Sequence, residues 1–561
     1  MPQNTTKTQS YVESDKYKNI VSIVNSVDLV PKVAMSGFEF KRYGTVYQLP
    51  NIRALADYGI ARAKMVKCYT DLITYNKLAL GARMYDWTEK EVKNLYLPMQ
   101  AVVYLTKEGL AQASMMDKLM DDLCDVAVKD GKIAAMAQNI EADAKEIYDA
   151  AGKLVLPGAL DAHTHMAMPF GGTVSADSYM AGTRAAACGG VTTIFDYPVQ
   201  HKGETIRGLV NSKKEVLEKE ACVDYAMHCC ITDLNEGEIL EEMEKAVAEG
   251  ITSFKCFLVY KKEGMMVDDG MLARLMLRAK ELGAMINIHA ENPDLIDYYT
   301  EKFLSEGKTS AWYHYMSRPE FVEAEADKRA VHWAKHLDAP LYLVHMADKE
   351  GLEACIEAKE EGADVFVETC PQYLEFTCNV YKREDGRNFV CSPPMKGQES
   401  QDALWKAIKN GMIDTVATDH CPFQSYEKDW GKDDFTKIPN GCPGVENLYP
   451  YMLDAANSGK ITFERAVELC STNVAKIFGC DNKGSISVGK DADIVIYDKD
   501  KDFTISVDNM HSDLDHTIWE GKQLHGYPIR TYLRGNIVYD NGDFVGTPGL
   551  GEYVKRSPRK H

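Results

Sequence analysis

The sequence predicts an α/β fold: a (β/α)8 TIM barrel with a small β-sandwich domain built from both chain ends, plus a helical N-terminal extension. Eight short apolar runs rich in β-forming residues alternate with helical stretches between residues 154 and 420, which is the pattern of parallel strands joined by crossover helices. Polar residues follow the ends of these runs, where barrels of this kind gather their functional groups. Alternating β patterns on both sides of the barrel predict the sandwich.

Length and composition agree with a large globular protein. The chain has 561 residues, of which 45% are hydrophobic and 26% charged, so we expect more than one domain. No run approaches the ~20 apolar residues of a membrane span, and the polar start lacks the apolar core of a secretory signal. Fifteen cysteines occur without a CxxC pair, which favours reduced, buried thiols in a cytoplasmic protein. A net charge of −20 without a basic block argues against a nucleic-acid or membrane partner.

Residues 1–97 are predicted as an arm and a helical extension. The first ~35 residues are polar and without period, which is typical of a mobile arm. From Asn51 to Leu80 apolar residues recur at near-helical spacing, and we expect this segment to pack without supplying a catalytic residue. Residues 98–156 are predicted as the first part of the sandwich, with a strand at 101–105 and a hairpin about a Lys-Asp-Gly turn at 125–135.

The barrel is predicted over residues 157–480. Its eight strands are expected at apolar runs that begin near residues 154, 191, 223, 253, 285, 341, 364 and 414. Periodic stretches such as 236–248 and 268–282 predict the crossover helices. Residues 481–545 are predicted to complete the sandwich, and residues 546–561 form a basic tail that we expect to be solvated.

Two histidines one residue apart end the first predicted barrel strand. Because side chains in a strand repeat with a period of two, His163 and His165 project from the same face and can reach one cation. The spacing alone is weak evidence, since such a pair also arises on a solvated strand. The other strands add further candidate ligands, which are Lys255, His289, His345 and Asp419.

These residue types suit metal-dependent hydrolysis. Neutral imidazoles and a carboxylate are typical zinc ligands, and a pair of divalent ions activates a shared water while polarising a carbonyl. Two adjacent cations repel each other unless an anion lies between them. Lys255 can supply that anion if CO2 adds to its amine to form a carbamate. The alternative for a lysine in a barrel strand is an ion pair with a nearby carboxylate.

Eight motifs follow one another along this part of the chain. They are HTH at 163, FKCFLVY around Lys255, HAEN at 289, VHMAD at 344, ETCPQYL at 368, CSPPM at 391, TDHCPF at 418 and NGCPG at 440. In order and in wording they resemble the dihydropyrimidinase and D-hydantoinase family of cyclic amidohydrolases, within the amidohydrolase superfamily. The resemblance covers about residues 125–556 and leaves the first ~95 residues unmatched.

The resemblance implies a binuclear metal site, expected to hold two zinc ions, with an N-carboxylated Lys255. One ion would be bound by His163, His165, Lys255 and Asp419, and the other by Lys255, His289 and His345. The implied reaction is hydrolysis of a cyclic amide or ureide, a dihydropyrimidine or a 5-substituted hydantoin, to an N-carbamoyl amino acid by a metal-bridging hydroxide. The implied assembly is a homo-oligomer, a tetramer or a dimer, with a small cyclic ureide as its substrate.

The resemblance also assigns residues around the substrate. Asp419 would take a proton from the nucleophile and pass it to the leaving nitrogen, and Tyr260 would donate a hydrogen bond to the oxyanion. Ser392 and Asn440 would hold the cyclic imide through backbone groups. Phe170 and Phe257 resemble walls for the ring substituent, although ordinary core aromatics are an equal alternative.

Other activities and other sites stay open. A dihydroorotase or allantoinase activity fits the same barrel, but dihydroorotases carry an arginine just after the HxH pair, where this chain has Met166-Ala167-Met168. Ala167 also departs from the polar residue that is frequent in the family. A non-catalytic assembly protein similar to the collapsin response mediators would have lost metal ligands, whereas all six positions are present here.

Three further histidines are not interpreted as ligands. His332 and His336 have a helical i,i+4 spacing but no HExxH glutamate, so we expect them on the surface. His420, beside Asp419, is expected to be an orienting residue or a packed imidazole and not a ligand.

Overall fold

The computed structural model describes residues 125–137, 140, 142 and 144–559, together with four short strands before residue 50. By compactness the chain divides into two units, Met1–Asp125 and Val126–His561. In the first unit, β1 (Gln3–Thr5) pairs antiparallel with β3 (Phe40–Arg42), and β2 (Ser22–Asn25) pairs parallel with β4 (Val46–Leu49).

The N-terminal prediction is therefore tested in part only. β1 and β2 lie in the stretch that was expected to be an arm without regular structure, and β2 contains the β-branched pair Ile23 and Val24. The predicted helical segment from Asn51 and the predicted strand at 101–105 lie outside the described residues.

The second unit contains parallel and antiparallel strands. They are β5 (Asp125–Lys129), β6 (Lys132–Ala137), β7 (Leu154–Pro157), β8 (Ala159–Thr164), β9 (Pro169–Phe170), β10 (Thr173–Val174), β11 (Val191–Asp196), β12 (Asp224–Met227), β13 (Cys229–Cys230), β14 (Ser253–Phe257), β15 (Met285–His289), β16 (Leu341–Leu343), β17 (Val365–Thr369), β18 (Thr415–Val416), β19 (Ile494–Thr504), β20 (Gln523–Leu533), β21 (Asn536–Asp540) and β22 (Asp543–Phe544).

Helices occupy the connections between the parallel strands and the segment that follows them. They are α1 (Tyr179–Cys188), α2 (Ile206–Glu220), α3 (Glu236–Ala248), α4 (Asp269–Glu281), α5 (Pro293–Ser305), α6 (Ala311–Met316), α7 (Glu320–Leu337), α8 (Lys349–Glu360), α9 (Pro371–Glu375), α10 (Gln398–Lys409), α11 (Ser425–Lys428), α12 (Leu448–Asn457), α13 (Phe463–Val467) and α14 (Asn473–Phe478). Among the described residues, no helix is long and apolar enough to cross a membrane.

The parallel strands follow one another in chain order. β8, β11 and β12 form one parallel sheet, and β13 to β18 form another. Parallel bridges join Val199 to Cys230 and Thr164 to His420, so the two sheets meet at both of their edges. β12 and β13 are two halves of one predicted strand, interrupted at His228. The eight predicted strands thus occur in the predicted order.

One predicted strand is divided between two sheets. The run from Leu154 was read as a single strand, but β7 pairs antiparallel with β19 whereas β8 pairs parallel with β11. The break lies at Gly158, where a Cβ atom would meet the Thr192 hydroxyl oxygen at 2.2 Å. Only glycine fits this close approach, because any larger residue would push the two strands apart.

Residues from both ends of the second unit share one antiparallel structure. β7 joins β19, β20, β21 and β22 in a five-stranded sheet. The β5–β6 hairpin turns at Asp130 and Gly131, which both have positive φ, as the predicted Asp-Gly turn requires. Ile133 of this hairpin donates its N–H to the Lys490 carbonyl and is buried against Ile494.

The C-terminal tail, which is predicted to be solvated, is exposed in part but is buried at Arg556. Tyr553 forms a parallel bridge with Tyr225, and the Arg556 side chain is only 2% exposed. The Arg556 guanidinium donates hydrogen bonds to the Ser253 hydroxyl, at 2.6 Å, and to the Met227 carbonyl. Both terminal nitrogens of Arg556 are therefore hydrogen-bonded inside the protein, whereas its buried Nε has no hydrogen-bond partner among the described residues.

The cysteines are reduced, as the sequence indicates. All thirteen cysteines in the described part of the chain are free, and twelve of them are buried. Burial raises the pKa of most of these thiols, and that of Cys256 to about 12. They contribute to packing as small apolar side chains.

Candidate active site

A cavity of about 620 Å³ opens at the carboxyl ends of the parallel strands. Its lining includes most of the residues predicted from the sequence, which are His165, Phe170, Lys255, Phe257, Tyr260, His289, His345, Ser392, Asp419 and Asn440. His163 is fully buried directly behind the lining, and its Nε2 lies 3.2 Å from Nε2 of His165. The structure therefore brings every predicted site residue to one place.

Three ligand atoms converge at one side of the cavity. His163 Nε2 and His165 Nε2 lie 3.3 Å and 3.1 Å from the same Asp419 Oδ1. The three atoms are thus within 3.1–3.3 Å of one another. Ligands at ~2.0–2.1 Å from a tetrahedral zinc ion are separated by roughly 3.3–3.4 Å. The spacing of these atoms therefore fits a metal ion at their centre.

A second pair of imidazoles lies beside the first. Nδ1 of His289 and Nε2 of His345 are 3.0 Å apart, and the His345 ring stacks on the His163 ring with centroids 5.4 Å apart. Burial lowers the pKa of both His289 and His345, which favours the neutral imidazole that binds metal. These two histidines are candidate ligands for a second ion.

Lys255 lies on β14 and faces this group of imidazoles. Its side chain is 1% exposed, and its Nζ lies 4.8 Å from the centre of the Tyr197 ring. Burial lowers the pKa of Lys255, although nearby acidic groups partly oppose that shift. None of the ion pairs formed among the described residues includes Lys255, so the alternative of a simple ion pair is not supported.

Two buried glutamates, whose roles were not predicted, orient the imidazoles. Glu368 accepts from His163 Nδ1 at 2.7 Å and from the His345 backbone N–H at 2.9 Å. Burial raises the pKa of Glu368 to about 7. Glu291 lies 3.0 Å from His289 Nε2. Such carboxylates fix the ring orientation of metal-binding histidines and make the ligating nitrogen more basic.

Glu291 lies in the HAEN motif, two positions from its partner His289, whereas Glu368 lies in the ETCPQYL motif, far in sequence from its partner. Glu368 is 205 positions from His163. A strand position alone does not show which imidazole a carboxylate will meet. The available signal was an acidic residue at the end of a barrel strand, where functional groups concentrate.

Backbone strain is concentrated around the cavity. Ala167, Tyr260, His345 and Asp419 are non-glycine residues with φ between +41° and +62°. Each such conformation costs roughly 1–3 kcal/mol and persists where the surrounding structure enforces it, as at functional sites. The strain at Asp419 accompanies an ionised side chain: burial opposes ionisation, but His163 and His165 lower the pKa of Asp419 to about 2.

Tyr260 lines the cavity beside His289, one of the candidate ligands, and beside two phenylalanines. Its ring lies 5.4 Å from the His289 ring and 5.6 Å from the rings of both Phe170 and Phe257. Its hydroxyl meets the Ser392 side chain, and burial raises the Tyr260 pKa well above its usual range. Tyr260 therefore remains a neutral hydrogen-bond donor at neutral pH.

Ser392 and Asn440 meet in the lining of the cavity, next to Tyr260. The Asn440 amide donates to the Ser392 hydroxyl at 3.0 Å, although the two residues belong to separate segments. The pair Ser392 and Asn440 and the pair Phe170 and Phe257 line the same cavity.

His420 is buried and lies outside the group of candidate ligand atoms formed by His163, His165 and Asp419. Its Nε2 donates to Asp177 at 2.9 Å, and its Nδ1 accepts backbone N–H groups from Gly444 and Val445. The His420 carbonyl accepts the backbone N–H of His165 at 2.8 Å. Both ring nitrogens are therefore occupied, and neither is free to bind a metal.

His332 and His336 lie on α7 and are exposed, as expected. Their rings are 4.2 Å apart, but they do not line the cavity.

Glu368→Gln should weaken metal binding by about 10–100-fold, because an amide is a weaker acceptor for the His163 ring and for the His345 backbone. Metal titration of the stripped protein would measure this change. Glu375→Gln is the matched control, since Glu375 pairs with Lys522 away from the metal ligands. Equal affinities for Glu368→Gln and wild type would exclude the orienting role.

Comparison with known proteins places the chain in a family. The model of the amidohydrolase family matches residues 154–538, and members of this family depend on metal ions. A D-hydantoinase of Geobacillus stearothermophilus is 40% identical over 439 residues, covering 77% of this chain and 93% of the relative. A dihydropyrimidinase of Rattus norvegicus is 38% identical over 448 residues, covering 78% and 86%.

Solved structures give the same result. The crystal structure of dihydropyrimidinase from Brevibacillus agri has 43% sequence identity and a TM-score of 0.76, covering 78% of this chain and 96% of that one. The residues matched by the family model, 154–538, include the strands that carry the candidate ligands. The chain therefore belongs to the amidohydrolase family.

Proposed function

We propose that the protein hydrolyses the ring of a cyclic ureide, a dihydropyrimidine or a 5-substituted hydantoin, to an N-carbamoyl amino acid. The observation that carries the proposal is the convergence of two imidazole pairs, Asp419 and Lys255 on one cavity that also contains Tyr260. The names of the relatives, D-hydantoinase and dihydropyrimidinase, support the same reaction class.

We further propose that the eight parallel strands close as a TIM barrel, with the antiparallel sheet and the β5–β6 hairpin as its sandwich domain. The bridges at both sheet edges support closure. A closed barrel would direct all the strand ends towards one opening, as the shared cavity requires.

We propose that this site binds two metal ions and that both are zinc. His163, His165 and Asp419 would bind one ion, and His289 and His345 would bind the other. N-carboxylated Lys255 would bind both ions. When bound, the ions supply Lewis-acid polarisation of the scissile carbonyl and a water of lowered pKa. Asp419 is the one carboxylate among the described residues that line the cavity, so a second anion must come from a modified side chain.

The side chains then divide the work. Asp419, an ionised carboxylate, accepts the proton released by the attacking water and returns it to the departing ring nitrogen. The Tyr260 hydroxyl donates a hydrogen bond to the oxygen on which negative charge develops. Ser392 and Asn440 hold the ring so that its carbonyl faces these groups. Phe170 and Phe257 exclude water from the ring substituent.

A panel of cyclic ureides should show turnover of dihydrouracil and hydantoin by the metal-loaded protein, and poor turnover of dihydroorotate. Other than histidine, Lys255 is the one basic side chain in the described lining, and as the proposed carbamate it would carry no positive charge. No arginine or lysine of the described lining would then pair with a substrate carboxylate. Loss of ring absorbance measures the reaction. Turnover of dihydroorotate or allantoin alone would replace this proposal by one of those activities. Absence of bound metal would favour the non-catalytic assembly protein.

Tyr260→Phe should lower kcat by about 10²–10³-fold, the usual effect of removing one oxyanion donor. The aromatic contacts with Phe170 and His289 are retained in this variant, so metal content should be unchanged. Steady-state kinetics with metal analysis would test both expectations. Tyr298→Phe is a suitable control, because Tyr298 is 60% exposed. An unchanged rate would remove Tyr260 from the mechanism.

We also propose a cytoplasmic homo-oligomer. The thirteen free cysteines support a reducing compartment. Sedimentation of the purified protein would distinguish a dimer or tetramer from a monomer.

A further inference from the structure

Lys428, the last residue of α11, is buried close to the cavity but does not line it. Its Nζ donates hydrogen bonds to three backbone carbonyls, those of Val390 at 2.9 Å, Pro439 at 2.7 Å and Gly441 at 2.7 Å. An ammonium group has three donors, and all three are used. No ion pair among the described residues includes Lys428, although buried lysines are usually paired with a carboxylate. The role of this lysine therefore depends on the three backbone carbonyls to which it donates hydrogen bonds.

The three carbonyls belong to the two segments that carry the proposed ring-binding residues. Val390 lies two positions before Ser392, and Pro439 and Gly441 flank Asn440 on both sides. The ammonium thus fixes both segments at one point, directly behind the cavity wall.

Further contacts hold the same two segments in register. The Gly441 N–H donates to the Val390 carbonyl at 2.9 Å, so this carbonyl accepts from both Gly441 and Lys428. Gly441 has φ +152°, and a Cβ atom there would lie 2.1 Å from the Cys421 carbonyl oxygen. On the cavity side, Asn440 donates to Ser392. The wall is a pair of irregular segments with few regular backbone bonds, so a single buried cation can determine its shape.

We propose that Lys428 is a positioning residue that sets the spacing of the Ser392 and Asn440 segments and so determines the affinity for the substrate ring. The identity of that ring rests on the proposed function. The candidate metal ligands lie on other segments, at the ends of β8, β14, β15 and β16 and just after β18. Loss of the three Lys428 hydrogen bonds should therefore affect substrate binding more than metal binding or the chemical step.

The test compares Lys428→Met with Lys437→Met in the metal-loaded protein. Methionine retains the apolar stem but removes the three donors, whereas Lys437 is 67% exposed and lies three positions before Asn440. For dihydrouracil or hydantoin, KM should rise about tenfold or more in Lys428→Met, with kcat within about threefold of wild type, as for lost ground-state binding. Metal content should be unchanged, and Lys437→Met should match wild type. An unchanged KM, or a loss confined to kcat or to bound metal, would overturn the proposal.

A second variant covers the case in which Lys428→Met does not fold. Lys428→Ala leaves space for n-propylammonium, which offers three donors, whereas n-propanol of similar shape offers one. Propylammonium should raise the thermal midpoint of Lys428→Ala and restore part of its KM, while propanol should do neither. Equal effects of the two additives would contradict the positioning role of Lys428.

The thermal measurement needs no substrate, so the two proposals can fail separately. A wild-type protein that turns over no cyclic ureide would contradict the proposed function. Lack of a selective propylammonium effect would contradict the role of Lys428, whatever the substrate.

Discussion

Lys255→Ala should lose most of its bound metal and nearly all of its hydrolytic activity. Two divalent ions that share a hydroxide lie roughly 3.5–4 Å apart, and their repulsion in a partly dry cavity requires an anion between them. Asp419 is the one carboxylate in the described lining, and it already meets His163 and His165. A carbamate on Lys255 would place one oxygen towards each imidazole pair.

The rescue of this variant distinguishes a bridge from a packing residue. Acetate or propionate should restore part of both metal content and activity to Lys255→Ala, because a short carboxylate can occupy the place of the carbamate. Lys261→Ala is the matched control, since Lys261 is 55% exposed and pairs with Asp294 on the surface. Mass or crystallographic evidence for a bare Lys255 amine in a fully active, two-metal protein would contradict the proposal.

The fold was predictable where local pattern determines structure. The runs that became β11, β14 and β15 are short, apolar and bounded by turn residues, so their period and composition were sufficient. Gly158 shows the limit of such evidence. An apolar run has the same sequence pattern whether it forms one strand of one sheet or two strands of two sheets. The division at Gly158 depends on the Thr192 side chain of another strand.

The site was predictable where motifs carry the chemistry. His163, His165 and Asp419 were singled out individually, and the structure brings their ligand atoms within 3.3 Å. Residues that act through distant or backbone partners were not found. The basic tail that contains Arg556 is predicted to be solvated, and its sequence does not reveal that Arg556 donates to Ser253 and to the Met227 carbonyl. The three acceptors of Lys428 are all backbone carbonyls, which the sequence does not reveal either. Composition and spacing do not reveal backbone partners.

Asp419→Asn should lower kcat by about 10³-fold or more at saturating metal, because proton transfer by a positioned side chain contributes about 10²–10⁴-fold and an amide cannot accept the proton. The side chain keeps its shape and one oxygen, so weakened metal binding can be offset by excess metal. The measurement is kcat per bound ion across a metal titration. Asp433→Asn, at an exposed aspartate, controls for the substitution itself.

Asp419 has two proposed roles, as a metal ligand and as a proton carrier, and the metal titration separates their effects on kcat per bound ion. If Asp419 is only a ligand, activity per bound ion should return to within about tenfold of wild type once the site is saturated, and that outcome would contradict the proton-transfer role. If it carries the proton, the deficit should persist at full occupancy. The deficit should then shrink for ring substrates whose departing nitrogen is a weaker base, because such a nitrogen needs less help from a proton donor. His163 and His165 lower the pKa of Asp419, so the wild-type side chain is ionised at neutral pH.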